Sequence, residues 1–335
     1  MTRINPDSLD DDFGAYVGLG ERRPRRVNPY RPHKPKRDKW AVRAGLAERP
    51  STGQADHELF LSPSLDTTNE ERAYVFEQLS RFHVSKLITG VLRRVKGGKE
   101  ANVYCCAAHP ATGLELVAAK VYRPRQFRNL RNDAIYRQGR PVLNGQGEVI
   151  DQRDWRAHKA IAQKSRFGLE VTQTSWVEYE FQTLTRLYAA GADVPKPLRN
   201  SEHALLMEYF GDVVTAAPTL HLIRLAPGEA AALFDRLIHN VGLMLAQGVV
   251  HGDLSAYNVL YWEGEVKIID FPQVVAVRGN PDARAIFNRD VERLCQYFAR
   301  FGVQSHPPKI AAAMWARYVS AQNRALRGGD DETPA

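Results

Sequence analysis

Two carboxylates and an amide in one short stretch are the residues most able to do chemistry. In VVHGDLSAYNVLYWEGEVKIID, residues 249–270, Asp253 and Asn258 stand five apart and Asp270 lies twelve further on, at the end of a β-prone run. Phosphoryl transfer calls for this set. One carboxylate orients or deprotonates an acceptor hydroxyl, and an amide and a second carboxylate supply hard oxygen ligands to Mg²⁺. Taken singly, Asp and Asn are ordinary turn and capping residues. The weight rests on their spacing and on partners upstream.

Those partners lie between residues 90 and 190. Gly90–Val95 and Asn102–Ala107 are β-prone runs around KGGKEA, which predicts a hairpin whose tip, Gly97-Gly98, brings backbone amides close to phosphates. A third strand, Leu114–Tyr122, carries Lys120 near its end, placed to meet phosphate oxygens. A helix over 173–190 offers Glu178 or Glu180 to hold that lysine. The two are about 200° apart around a helix, so only one can face it. Glu180, nearer the Phe181/Leu184/Leu187 side, is the one expected. His251 is expected to brace the loop through the backbone, and Asp290 to be structural, as a cap or as an anchor for the loop.

The surrounding pattern predicts elements that hold these groups. Helix-like spacing runs over 70–82, 229–247, 283–301 and 308–326, and short strands over 203–209, 259–262 and 265–269. The expected architecture is α+β and bilobed, with a small antiparallel sheet and helix followed by a mainly helical half. Residues 123–170 are polar and basic without clean periodicity and read as a mobile insertion.

Composition narrows the class. The 335 residues are 44% hydrophobic and 25% charged, with no apolar run long enough for a membrane helix and no apolar core in the first residues for a secretory leader. Cys105, Cys106 and Cys295 lack zinc-site spacing and form no disulfide framework, so a reduced, cytoplasmic setting is expected. The net charge of +8 is local. Residues 21–50 hold eleven Lys or Arg against three acidic residues, so the rest of the chain balances. Residues 1–65 therefore read as a disordered arm, acidic then basic, with a short helix near Trp40–Leu46. Such an arm is either a plain solvated tail or a contact for RNA or a ribosomal subunit, without DNA sequence specificity. The main domain spans 66–328, with lobes over about 70–206 and 210–328, and residues 329–335 are a polar tail.

Six segments in order resemble the RIO family of atypical serine/threonine protein kinases: KGGKEANVY (96–104), AAKVY (118–122), LLMEYFGD (205–212), HGDLSAYN (251–258), IIDFPQ (268–273) and FNRDVERL (287–294). The resemblance spans roughly residues 70–305. It implies a protein-kinase-like fold with a truncated helical C-lobe, ATP with Mg²⁺ or Mn²⁺, and serine phosphorylation, autophosphorylation or an ATPase switch. Lys96, Gly97, Gly98, Lys99, Glu100, Asn102 and Val103 would line the nucleotide, with Lys120 and Glu180. Met207, Glu208 and Phe210 would meet the base. Asp253 would be the catalytic aspartate, and Asn258 and Asp270 the metal ligands. In this family the metal-binding aspartate can itself accept phosphate, and members act in maturation of the small ribosomal subunit.

The chain departs from the pattern in places. Lys96-Gly97 stand where the family often has Ser-Thr, and no winged-helix pattern precedes the domain. Gly252 replaces the arginine that pairs with a phosphorylated activation loop in most protein kinases. Only 65 residues follow Asp270, too few for the usual large peptide-docking subdomain. Two other readings stand beside this one. One is a small-molecule phosphotransferase of the aminoglycoside or choline kinase type, and the other is a nucleotide-gated RNA-binding module without turnover.

Overall fold

A computed structural model of the chain describes residue 60 and residues 68–98, 100–123, 138–151 and 153–328. Of the expected disordered arm only Phe60 is described, and it is buried with its ring 5.7 Å from that of Phe76; the basic stretch and short helix, Lys99, residues 124–137 and the tail lie outside the described residues.

Helix α1, Asn69–Val84, opens the domain, with Thr68 accepting the Glu71 N–H as its N-cap. It buries Tyr74, Val75, Leu79 and Phe82 against the sheet. Strands β1 (Ile88–Gly97), β2 (Ala101–Ala108) and β3 (Leu116–Tyr122) follow as a meander. Strands β4 (Pro197–Asn200) and β5 (Ala204–Glu208) complete an antiparallel sheet of order β1-β2-β3-β5-β4. The β4 strand is absent from the pattern reading, because Pro195 and Pro197 mask a four-residue edge strand.

Register decides which side chains reach the cleft. Lys96 pairs with Val103, and Val103 with Lys120, so all three share one face; Asn102 pairs with Val121 and lies on the other. The two faces pack into two cores. Val117, Ala119, Val121, Tyr104, Cys106 and Leu206 join α1, whereas Ala101, Tyr122 and Leu205 join the larger core below. Full burial of each such Leu or Val is worth about 1.5–3 kcal/mol.

The expected insertion over 123–170 is corrected at its C-terminal end. Helix α2 spans Trp155–Ala162, capped by Asp154, and α3 spans Arg166–Ala189, capped by Ser165. Polar and basic side chains hid these helices, since α2 is eight residues long and buries only Ala157. Residues 138–151 pack on α3, with the Leu143 N–H donating to Ser175 Oγ and Gln182 Nε2 to the Gly147 carbonyl.

The second half holds α4 (Pro227–Ala246), the pairs β6 (Val249–Val250)/β9 (Val275–Ala276) and β7 (Val259–Trp262)/β8 (Glu265–Ile268), and helices α5 (Ala283–Ala299) and α6 (Pro307–Gly328). No described helix is long and apolar enough to cross a membrane.

Candidate active site

Three segments distant in sequence meet at Lys120. Its ammonium lies 2.8 Å from Glu180 Oε1, contributed by α3, and 2.7 Å from Asp270 Oδ1, contributed by the turn after β8. The Tyr122 hydroxyl donates to the other oxygen of Glu180. Burial alone would lower the affinity of Lys120 for its proton, but Asp270 and Glu180 outweigh it and hold the lysine charged well above its usual range. In return, burial would raise the Asp270 carboxyl, and the Lys120 charge brings it below the usual carboxylate range. Lys96 also acts on Asp270 through its charge.

Glu178 does not join this set. It turns to Gln182 and Asn200, the rotation that two residues of helix dictate.

Asp270 adopts a left-handed backbone (φ 71°), a conformation costing a non-glycine residue about 1–3 kcal/mol. Its neighbourhood holds it there. The Pro272 carbonyl accepts from Arg140 Nη1 and Nη2, each 3.2 Å, and from Trp176 Nε1 at 2.7 Å. The Asp270 side chain remains 46% exposed, open to a ligand.

The loop over 251–258 is braced from several sides. His251 Nε2 meets the Ile269 carbonyl at 3.1 Å and its ring packs 4.7 Å from that of Phe271. The Gly252 N–H donates to Asp290 Oδ2 (2.8 Å), and burial raises the Asp290 carboxyl. Gly252 has φ 85°, a conformation in which an arginine would be strained.

Both oxygens of Asp253 are held. Asn258 Nδ2 donates to Oδ2 (3.2 Å) and to the Asp253 carbonyl (2.8 Å), while Arg293 Nη1 reaches Oδ1 at 3.1 Å. With its nitrogen spent on Asp253, Asn258 has its Oδ1 to offer a cation. That amide oxygen and the Asp270 carboxylate are hard oxygen donors, the kind a divalent ion takes. Among the described residues no cluster of three His, Cys, Asp or Glu could hold a metal unaided.

The glycine hairpin differs from expectation at one residue. Asn102 is buried on the face away from Lys120, with Nδ2 donating to Glu71 Oε1 (2.8 Å) and Oδ1 accepting from Arg123 Nη2 (3.2 Å) and the Gly98 N–H (3.4 Å). Strand alternation puts it there, so its side chain shapes the hairpin from behind instead of lining a nucleotide. Val103 and Lys96 do face the cleft side. A Cβ at Gly98 would stand 2.7 Å from the Ala101 carbonyl oxygen, so this turn accepts only glycine. Glu100 ties the hairpin turn to the end of β3, its carbonyl accepting from the Arg123 N–H.

At the strand where a base is expected, Met207 is half-buried and packs on the larger core. Glu208 spends its N–H on the Lys196 carbonyl, so any base contact by its backbone is through its own carbonyl. The Glu208 carboxylate pairs with Lys267, whose ammonium also lies 5.9 Å from the Phe210 ring.

Sequence reasoning missed Glu71, Arg140, Trp176 and Arg293. The last had a signal: Arg289 and Arg293 lie four apart, on one face of α5, and both meet the 252–253 backbone or side chain.

Comparison with known proteins places the chain in a family. Residues 145–310 match the family model "RIO domain". The chain is 30% identical over 248 residues to the serine/threonine-protein kinase RIO1 of Chaetomium thermophilum, covering 71% of this chain and 44% of that protein. It is 30% identical over 221 residues to the RIO-type serine/threonine-protein kinase Rio1 of Haloferax volcanii (63% and 64%). With the Rio1 protein of Thermoplasma acidophilum the identity is 32% over 135 residues, 40% of this chain and 69% of that one. The chain thus spans about half the length of the first and near two thirds of the second. The bilobed α+β fold, the matching domain and these relatives together establish that the chain belongs to the RIO family.

Proposed function

We propose that the chain is an ATP-dependent RIO-type serine protein kinase that phosphorylates itself, turns over ATP as a switch, or does both. The observation that carries this reading is the placement of Lys120 between Glu180 and Asp270, 2.8 and 2.7 Å from their oxygens. An ammonium has three donors. Two are spent on these carboxylates and the third is available to nucleotide phosphate. Asp253 accepts a hydrogen bond from the incoming hydroxyl and aligns it with the γ-phosphorus. The P–O bond to the ADP leaving group breaks as the bond to the acceptor oxygen forms, and the hydroxyl proton leaves through Asp253. Asn258 and Asp270 would hold Mg²⁺ or Mn²⁺, which supplies charge neutralisation on the phosphates. Asn258 and Arg293 fix both oxygens of Asp253, so orientation costs nothing at the moment of reaction.

Incubation with γ-labelled ATP and Mg²⁺ or Mn²⁺ tests this reading. The wild type should acquire label or release labelled phosphate. Asp253→Ala should lower turnover by about 10²–10⁴-fold with nucleotide affinity nearly unchanged. Equal turnover in the two proteins would sink the assignment. Acid-stable phosphoserine would mark kinase activity, and hydroxylamine-labile label an acyl phosphate on Asp270.

A cytoplasmic setting fits three cysteines that are all buried and unbridged. For the basic stretch at 21–50, RNA or a ribosomal subunit is the partner its charge fits. Deleting residues 1–60 should weaken that association and flatten its salt dependence while nucleotide binding persists.

A further inference from the structure

The helical hairpin α2–α3 carries a surface the catalytic reading does not use. Between residues 153 and 170 stand Arg153, Arg156, Lys159, Lys164 and Arg166 against Asp154 and Glu170, the latter paired with Arg166 at 3.2 Å, and all five cations are exposed. Two large aromatic rings lie open among them, Trp155 at 69% and Phe167 at 46% exposure. Each ring has a cation beside it. Lys159 Nζ is 5.6 Å from the Trp155 ring centre, and the Arg156 guanidinium carbon is 5.7 Å from that of Phe167.

The patch is contiguous and stiff. Trp155, Arg156 and Lys159 share one helix face at spacings of three and four, and Arg156 reaches across to Phe167 on the second helix. The helices cross tightly at Gly168, where a Cβ would stand 2.0 Å from the Ala160 carbonyl oxygen. Side-chain caps fix both N-termini, Asp154 on the Ala157 N–H and Ser165 on the Gly168 N–H. Burying no core, the rings would ordinarily be replaced by polar residues on such a face.

We propose that this hairpin binds single-stranded RNA, with bases stacking on Trp155 and Phe167 and phosphates meeting Arg156, Lys159 and their basic neighbours. Open rings interleaved with cations are what unstacked nucleotides require. A duplex hides its base faces and would use the charges alone. An acidic peptide matches the charge, but it would need aromatic side chains at matching spacing as well to stack on two rings. RNA exposes unstacked bases in loops and bulges as a matter of course, whereas DNA is mostly paired. The surface stands apart from the cleft, since Glu180 lies thirteen residues beyond Phe167 on α3, about 20 Å along the axis. The inference is independent of turnover.

The test is fluorescence anisotropy of the full chain with labelled oligouridine of about 12 nucleotides, over about 50–200 mM salt. Trp155→Ala with Phe167→Ala should weaken binding by about tenfold or more at unchanged salt slope. Arg156→Gln with Lys159→Gln should lower the slope by about 1.4, for two phosphate contacts on a single strand. Trp155→Phe, which keeps a ring, should remain within about threefold of wild type. Nucleotide affinity should not move in any variant. Wild-type RNA affinity in both double variants would overturn the proposal, leaving the N-terminal basic stretch as the binder. Duplex RNA bound as tightly as oligouridine would overturn the stacking, and tighter binding of oligothymidine would overturn the choice of RNA.

Discussion

The sheet carries a buried carboxylate on each face, and the two are built from similar parts to different ends. On the cleft face Glu180 accepts from Tyr122 and Lys120; on the outer face Glu71 accepts from Tyr104 (2.6 Å) and Asn102 (2.8 Å), with Arg94 at 3.5 Å. Both glutamates are 2% exposed. The outer network is closed, because its donors and acceptors find one another among α1, β1, β2 and Arg123 at the end of β3. The inner network ends on Asp270, 46% exposed, and on a lysine with a donor to spare. A finished network stabilises; a network left open at one end is a place for a ligand.

Removing the inner cation should give the largest effect. Lys120→Met leaves Glu180 buried beside Tyr122 without its charge partner, a loss of about 3–5 kcal/mol when one member of a buried pair is removed. Turnover should fall below detection, since the group that meets phosphate is gone. Denaturant unfolding and the labelled-ATP assay read the two losses separately. Turnover surviving in this variant would mean that the inner network is as purely structural as the outer one.

The outer counterpart, Glu71→Ala, strands the amide of Asn102 and the hydroxyl of Tyr104, at about 1–3 kcal/mol per unsatisfied donor. Its functional effect should be indirect. Asn102 Oδ1 accepts from the Gly98 N–H, so loosening Asn102 loosens the hairpin tip. Nucleotide affinity should weaken by several-fold while the turnover rate at saturation holds, a split that steady-state kinetics resolves. A fall in the saturated rate comparable with that of Lys120→Met would erase the distinction between the faces.

Single hydroxyl deletions refine it. Tyr104→Phe removes the bond to the Glu71 carboxylate and the weaker one accepted from Asn102 Nδ2 at 3.3 Å, and should cost about 1.5–3 kcal/mol with kinetics unchanged. Tyr122→Phe should cost a similar amount of stability and also lower turnover, because Tyr122 helps to orient the carboxylate that holds Lys120.

The sequence read unequally across these two faces. Lys120, Asp253, Asn258 and Asp270 were legible because chemistry restricts residue type and the loop over 251–270 restricts spacing. Strands β7 and β8 and the later helices were legible from periodicity, to within a residue or two at most ends. Glu71 was not, although Thr68 and Glu71 have the spacing of a capping box. The side chain leaves the helix end for Asn102, and only the three-dimensional pairing of α1 with β2 shows it. Asn102 was legible as part of a motif but misplaced, since a motif gives identity and strand parity gives direction. Helices α2 and the first turns of α3 were hidden because their exposed faces carry cations and aromatics that no core pattern marks. Arg140 and Trp176 act on the Pro272 carbonyl, and a backbone acceptor leaves no trace in sequence.

The smallest expected effect belongs to the glutamate that faces neither network. Glu178 is buried at 6% exposure and accepts from Gln182 Nε2 and Asn200 Nδ2, tying α3 to the edge strand β4. In Glu178→Gln one carboxylate oxygen becomes a donor facing donors, so one bond is lost, for about 1–3 kcal/mol of stability. Turnover and nucleotide affinity should stay at wild-type values. Glu180→Gln, the same chemical change two residues along the same helix, takes a full charge from Lys120 and should lower turnover severely. Measured side by side, the pair separates the effect of burying a carboxylate in α3 from the effect of pointing it at Lys120. Equal losses of activity would show that α3 as a whole, and not the direction of one side chain, governs the site; a loss confined to Glu180→Gln would place the function in the 2.8 Å contact itself.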